Sequence, residues 1–357
     1  MSVKRISQLR RQVEAENLDG LIVSDVNKIR YLTGYTGSSA LLFITGKKAD
    51  FFTDSRYTVQ AKKQVKGARV RVAKTALNQA MAELPGIQTK NLVYGFDGES
   101  VTVAEVRRLQ SILPQAQLIP AEELTMELGW VKEKEEIDSI KQAVAISDTG
   151  FERILNLVAP GIRERELAAE LEYQMLMLGS ERPAFETIVA SGYRSAMPHG
   201  VASSKKLKKG DFVTFDFGAT VTGYVSDITR TVVVGKASPR QKKIYGLVLR
   251  SQKAGIRKVK AGVTGVAVDA ACRKIIAKAG YGKNFGHGTG HGIGFVIHTG
   301  PRVSPLSKDK LKSNNVITVE PGIYIDGWGG VRIEDDVLVT RSGGKVLNQA
   351  EKKLLEL

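Results

Sequence analysis

The residues best equipped for chemistry in this sequence lie in its second half. In DFVTFDFGA, strand alternation sends Val213, Phe215 and Phe217 to one face and Thr214 and Asp216 to the other, so an acid interrupts an apolar strand. Past a glycine-containing loop suited to a hairpin, Asp227 opens ITRTVVV, and paired strands bring two such carboxylates within a few ångströms. Near the C-terminus, VITVEPG puts Glu320 on the Thr318 side of its strand and GVRIEDD puts Glu334 on the Arg332 side. All four histidines share this half: His199 in AMPHG, then His287, His291 and His298 in FGHGTGHGIGFVIHTGP. Glycines beside His287 and His291 let the backbone approach a ligand closely. Taken alone, either aspartate is more readily a turn or cap residue. Clustered and buried with a histidine, the acids need cations, and oxygen donors with one imidazole suit Mn²⁺, Fe²⁺, Co²⁺ or Zn²⁺. Mn²⁺ is the first choice.

These groups need a frame, and the pattern of elements supplies two. The first third alternates helical spacing (Ile6, Leu9, Val13) with short apolar strands in LDGLIVSD, ALLFITG, ADFFTD and LVYGF, which predicts an α/β layer domain over residues 1–124. A boundary falls between residues 124 and 132. From Lys132 a long charged helix runs until Pro160-Gly161, RERELAAELEYQMLML supplies a second, and two more lie around residues 240 to 279. With the strand-like segments between them, residues 132–357 read as an α+β domain with a mostly antiparallel sheet.

The order Asp216, Asp227, His291, Glu320, Glu334, set in FDFGA, SDITRT, GHGTGHGIG, VEPGIY and VRIEDD, resembles the pita-bread metallopeptidases over about residues 132 to 345. YLTGYTGSSA and TDSRYT resemble the smaller N-terminal domain of aminopeptidase P and prolidase, which methionine aminopeptidase generally lacks. The resemblance implies a dinuclear centre: Asp216 on one ion, His291 and Glu320 on the other, Asp227 and Glu334 shared, and a water activated between them. It implies catalytic roles for His199, His298, Glu320 and Arg332, and substrate contacts for His199, His287, His298 and Tyr324. Arg332 is alternatively an ion pair holding Glu334, and His287 alternatively a structural histidine of its loop. Where the family carries an acid after the second active-site histidine, this chain has His298-Thr299, and Trp130 stands near a position that is often basic in relatives.

The implied activity is Xaa-Pro aminopeptidase on proline-containing peptides. Xaa-Pro dipeptidase (prolidase) is the alternative, and a non-catalytic pita-bread binding protein the rival of another class. A homodimer is implied by resemblance only.

No run approaches the roughly 18 apolar residues of a membrane span, and Met1 to Val13 lacks a secretory apolar block, so a cytoplasmic protein without a membrane partner is expected. The single cysteine, Cys272, excludes an internal disulfide and reads as a small core residue. A net charge of +16 raises the question of a polyanionic partner. With basic residues in both halves, Lys205, Lys206, Lys208 and Lys209 the densest run and no nucleic-acid motif beside them, a solvated basic surface is expected rather than a nucleic-acid partner, with weak adhesion to polyanions as the alternative.

Overall fold

A computed structural model describes residues 2–357, which form two compact units, one ending at Gly129 and the other spanning Trp130–Leu357. In the first unit the helices are α1 (Ser2–Ala15), α2 (Val26–Thr33), α3 (Thr58–Gln64), α4 (Leu77–Ala82), α5 (Val103–Ile112) and α6 (Glu123–Met126). They surround a six-stranded mixed sheet made of β1 (Gly20–Val23), β2 (Leu41–Ile44), β3 (Ala49–Thr53), β4 (Arg69–Val72), β5 (Val93–Phe96) and β6 (Gln117–Pro120), in the order β4-β3-β2-β1-β5-β6. Alternation divides the strand residues between two cores. Leu21, Val23, Leu42 and Ile44 pack with Ile6, Leu9 and Val13 of α1, while Ile22, Leu41 and Phe43 pack with Met81 of α4 and Leu109 of α5. Helices thus cover both faces, which is why the strands read as continuous apolar runs.

The second unit opens on α7 (Lys134–Ile154) and α8 (Glu164–Met177). Strands β7 (Ile188–Ser191), β8 (Phe212–Phe217), β9 (Thr220–Val221), β10 (Tyr224–Val225) and β11 (Ile228–Val233) follow, then α9 (Pro239–Lys258) and α10 (Gly265–Lys278). The remainder is β12 (Gly290–Gly292), β13 (Thr299–Val303), β14 (Val316–Val319), β15 (Gly322–Ile325), β16 (Gly329–Arg332), β17 (Asp335–Val339) and β18 (Gly344–Val346). The three-stranded sheet β11-β8-β7 and the five-stranded sheet β13-β12-β14-β17-β18 are antiparallel throughout.

Each sheet is covered by a helix pair. Phe151, Ile154, Leu167 and Leu171 of α7 and α8 pack on Val213, Phe215 and Phe217, leaving Thr214 and Asp216 on the other face of β8. Ile244, Val248, Val268 and Cys272 of α9 and α10 pack on Ile317, Val319 and Val337. Cys272 is fully buried, and burial pushes its thiol up to about 12. No helix among the described residues is long and apolar enough to cross a membrane.

Two segments that read as single strands are each broken in two. VITVEPGIYI divides into β14 and β15 at Glu320-Pro321, and GGVRIEDDVLVT into β16 and β17 at Ile333-Glu334. Proline cannot donate to a ladder, so the first break follows from chemistry. Glu320 and Glu334 therefore stand in strand breaks, not within strands, and Asp227 stands just before β11.

Candidate metal centre

The four acids and the imidazole singled out in the sequence line one cleft of about 430 Å³, together with His199, His287, His298 and Arg332. Register explains how the first two acids meet. β8 and β11 pair antiparallel with Asp216 opposite Thr229, which brings Asp227, two residues before Thr229, to the same end of the hairpin. Thr229 Oγ1 donates to Glu334 Oε2 at 2.6 Å, so the third acid is hung on the same strand. His291 comes from β12, a strand so closely flanked that a Cβ on Gly290 would lie 2.1 Å from the Thr318 carbonyl oxygen and one on Gly292 2.0 Å from that of Gly300. Only glycine fits at both positions. The His291 backbone donates to Thr318 Oγ1 at 3.1 Å, and that hydroxyl donates to Glu320 Oε1 at 3.2 Å.

The protonation pattern follows from partners. His291 Nδ1 lies 3.1 Å from the Gly292 carbonyl, which can only accept, so the proton sits on Nδ1 and Nε2 presents a lone pair. That Nε2 is 3.5 Å from Asp227 Oδ2 and 3.5 Å from Glu320 Oε1, and burial holds the imidazole below its ordinary pKa. A neutral ring lone pair facing two carboxylates is a set of donors without a proton to share. Burial, followed by mutual repulsion, pushes Asp227 and Glu334 well above the usual carboxylate range, and burial pushes Glu320 upward as well. Asp227, His291 and Glu334 offer ligand atoms all within 4.8 Å of one another. On charge, donor type and spacing, a divalent cation fits these residues.

Arg332 departs from the ion-pair alternative drawn from the sequence, in which it would hold Glu334. Its Nη2 donates to Asp216 Oδ2 at 2.5 Å and its Nε to Thr229 Oγ1 at 3.0 Å, the hydroxyl that serves Glu334. The bulk of a guanidinium between the acids lets it pair with one and reach the other through a threonine. Arg332 Nη1 also donates to Tyr324 Oη at 2.8 Å, and Tyr324 Oη lies 2.9 Å from His287 Nε2. Since His287 Nδ1 must donate to the Gly288 carbonyl at 2.7 Å, Nε2 accepts from the tyrosine, and the direction of the chain Arg332, Tyr324, His287 is set. Burial pushes the Tyr324 hydroxyl up to about 12, which keeps it a donor at neutral pH.

Three supporting groups escaped the sequence reading. Thr229 is one. Glu164, at the first turn of α8, is fully buried and accepts from the backbone N–H and hydroxyl of Ser191 (2.7 Å each), from those of Ser203 (3.0 and 2.6 Å), and from Arg194. It pins both ends of the segment that carries Pro198 and His199 into the cleft. An acid in a first helical turn reads as helix-dipole complementation, which hides this role. Arg230, also fully buried, donates to the Glu334 carbonyl at 2.5 Å, to Asp335 Oδ1 at 2.8 Å and to the Ala350 carbonyl at 2.9 Å, fixing the backbone at the Glu334 break.

Known proteins share this fold. Residues 138–341 match the model of metallopeptidase family M24, and residues 5–128 that of the creatinase/prolidase N-terminal domain. The chain belongs to metallopeptidase family M24. It is 43% identical over 354 residues to the uncharacterized peptidase YqhT of Bacillus subtilis (strain 168), covering 99% of this chain and 100% of that one. Among solved structures it is similar to an Xaa-Pro dipeptidase from Bacillus anthracis, at 40% identity and a TM-score of 0.96 with 100% of both chains covered. It is also similar to an X-Pro aminopeptidase from Thermotoga maritima MSB8, at 36% identity and a TM-score of 0.90, covering 98% of this chain and 99% of that one.

The raised carboxyls make stability depend on pH and metal together. A group whose pKa is higher folded than unfolded stabilises the fold at low pH, and that stability is lost as pH rises from the ordinary carboxylate range through the raised value. Chelated protein is therefore expected to melt at falling temperature over that window because of Asp227, Glu320 and Glu334. The increase in melting temperature on adding Mn²⁺ should grow with pH, since the ion needs deprotonated donors. Calorimetric melts with and without Mn²⁺ across pH check this, and an increment independent of pH would contradict it.

Proposed function

We propose that this chain is an Xaa-Pro dipeptidase holding two divalent ions, Mn²⁺ first among the candidates, through Asp216, Asp227, His291, Glu320 and Glu334. Charge carries the two-ion reading. Five carboxyl side chains line the cleft, Glu186 and the four candidate ligands, and Arg332 is the one Lys or Arg lining it among the described residues, a deficit larger than one divalent ion neutralises. In this assignment Asp216 would hold one ion, His291 and Glu320 the other, and Asp227 and Glu334 would contribute to both.

The sequence favours an aminopeptidase with the dipeptidase as its alternative, and the comparisons support the dipeptidase better. The dipeptidase from Bacillus anthracis exceeds the Thermotoga aminopeptidase in both identity and TM-score. A cleft of about 430 Å³, toward the small end of ligand sites, also suits a short peptide. A homodimer, which the resemblance implies, belongs to the same proposal.

Bound divalent ions supply Lewis acidity toward the scissile carbonyl and a more acidic water. The chain's residues do the rest. His298, its ring 4.4 Å from that of His291, and His199 line the cleft and offer imidazole N–H groups to negative charge developing on the carbonyl oxygen. Glu320, held by Thr318 within the cleft, is the carboxylate placed to take up a proton during hydrolysis. Arg332 holds Asp216 and orients Tyr324, and Tyr324 holds His287 as a neutral ring against the substrate side.

With Mn²⁺ present, the protein is expected to hydrolyse Xaa-Pro dipeptides, to lose at least about a hundredfold in kcat/KM when alanine replaces proline, and to lose nearly all turnover in Asp227→Asn. A higher kcat/KM on Xaa-Pro-Yaa tripeptides would return the aminopeptidase reading. Equal rates on proline and alanine peptides would contradict both.

Thr299, the first residue of β13, leaves His298 without the neighbouring acid of relatives. Burial, and then His291, holds His298 below the ordinary histidine range. Thr299→Glu is expected to move the acidic limb of kcat/KM upward in pH with metal content unchanged. Profiles of wild type, Thr299→Glu and His298→Ala check it, and a limb that stays in place while kcat changes would leave His298 a purely positional role.

A further inference from the structure

The net charge of +16 looks spread along the sequence when basic residues alone are followed, and concentrated when acids are followed too. Between Lys236 and Lys283 stand thirteen Lys and Arg and a single acid, Asp269, so this segment alone contributes +12. It folds as α9 and α10, which pack against one another with their apolar faces in the core. Asp269 is buried and paired with Arg273 at 2.9 Å. The other twelve basic residues are all exposed. Lys242 meets Glu356 at 2.7 Å and Arg240 lies over the Trp328 ring at 4.3 Å. Among the described residues, the remaining ten form no ion pair, though Lys236 lies near enough to Glu356 to act on its charge.

Lys243, Arg250, Lys253 and Arg257, spaced by seven, three and four residues, form one stripe along α9. At 1.5 Å per residue the stripe is about 21 Å long, the axial length of roughly six phosphates of one nucleic-acid strand. Such a density of like charge is costly unless an anion faces it. Val266 is the one large apolar residue exposed in the segment among the described residues, so nothing here inserts into lipid, and the apolar side of both helices is already spent on the core. Gln241 and Gln252, which could read bases, are buried. The layer contributes no residue to the metal cleft.

We propose that the α9–α10 layer is a docking surface for nucleic acid, gripping the phosphate backbone without reading sequence. Arginine forks at Arg250 and Arg257 and the ammonium groups of Lys243 and Lys253 are the contacts, and the grip weakens as salt displaces it.

Fluorescence anisotropy of the full-length protein with a labelled DNA duplex and a labelled RNA hairpin tests this, with salt varied from about 50 to 200 mM. Micromolar binding of either probe is expected at the lowest salt, weakening about a thousandfold over that range. The variant Lys243→Glu/Arg250→Glu/Lys253→Glu/Arg257→Glu should lose at least about tenfold in affinity and flatten the log–log salt slope by about three to four, with its peptidase activity intact as proof of folding. A control of equal charge in the other unit, Lys47→Glu/Lys48→Glu/Lys62→Glu/Lys63→Glu, should change affinity far less. Absence of binding at the lowest salt, an equal loss in the control, or tighter binding to phosphatidylserine-containing vesicles than to either nucleic acid would overturn the proposal.

Discussion

Asp216, Asp227, Glu320 and Glu334 crowd a half-enclosed cleft with a neutral imidazole and a single guanidinium, and left as free anions they would repel one another in a medium that screens them poorly. The structure answers this in two ways. Arg332 takes one carboxylate directly, and the rest are arranged with their oxygens and His291 Nε2 converging on common points. Burial, and after it this convergence, raises the pKa of Asp227 and Glu334, which is the cost of the arrangement in the absence of a cation and the source of its affinity in the presence of one.

Much of the surrounding architecture serves that convergence. The breaks at Glu320 and Glu334 free two carboxylates from strand alternation, and the β8–β11 hairpin delivers the aspartates. Thr229, Thr318 and the Arg230 backbone clamp tie those pieces together with hydrogen bonds, and Glu164 does the same for the segment bearing His199. Buried polar networks of this kind hold one geometry because each broken bond leaves an unpaired group.

How legible this was varied with the physics. Acids inside apolar strands and histidines among glycines stand out, since both violate the ordinary rules of burial, and the alternation in β8 reads directly as a face. Element types in both units follow from periodicity. Three kinds of feature do not. The breaks at Glu320 and Glu334 depend on which sheet each half joins, a tertiary matter that only Pro321 hints at. The partner of Arg332 lies 116 residues away, beyond any local spacing rule. Glu164 looks like any first-turn acid until its five donors, from Ser191, Arg194 and Ser203, are seen. The basic layer was legible after all, as a 48-residue stretch with one acid, and is missed by following only the densest lysine run.

The two surfaces are independent in their chemistry, one needing cations and the other offering them, and neither shares a residue with the other. The central claim concerns the first. Titration of the metal-free protein with Mn²⁺, followed by calorimetry and by metal analysis after gel filtration, tests it most directly. Two ions bound per chain in wild type and fewer in Asp216→Asn are the result predicted, whereas one ion or none at saturating Mn²⁺ in wild type would contradict a dinuclear centre.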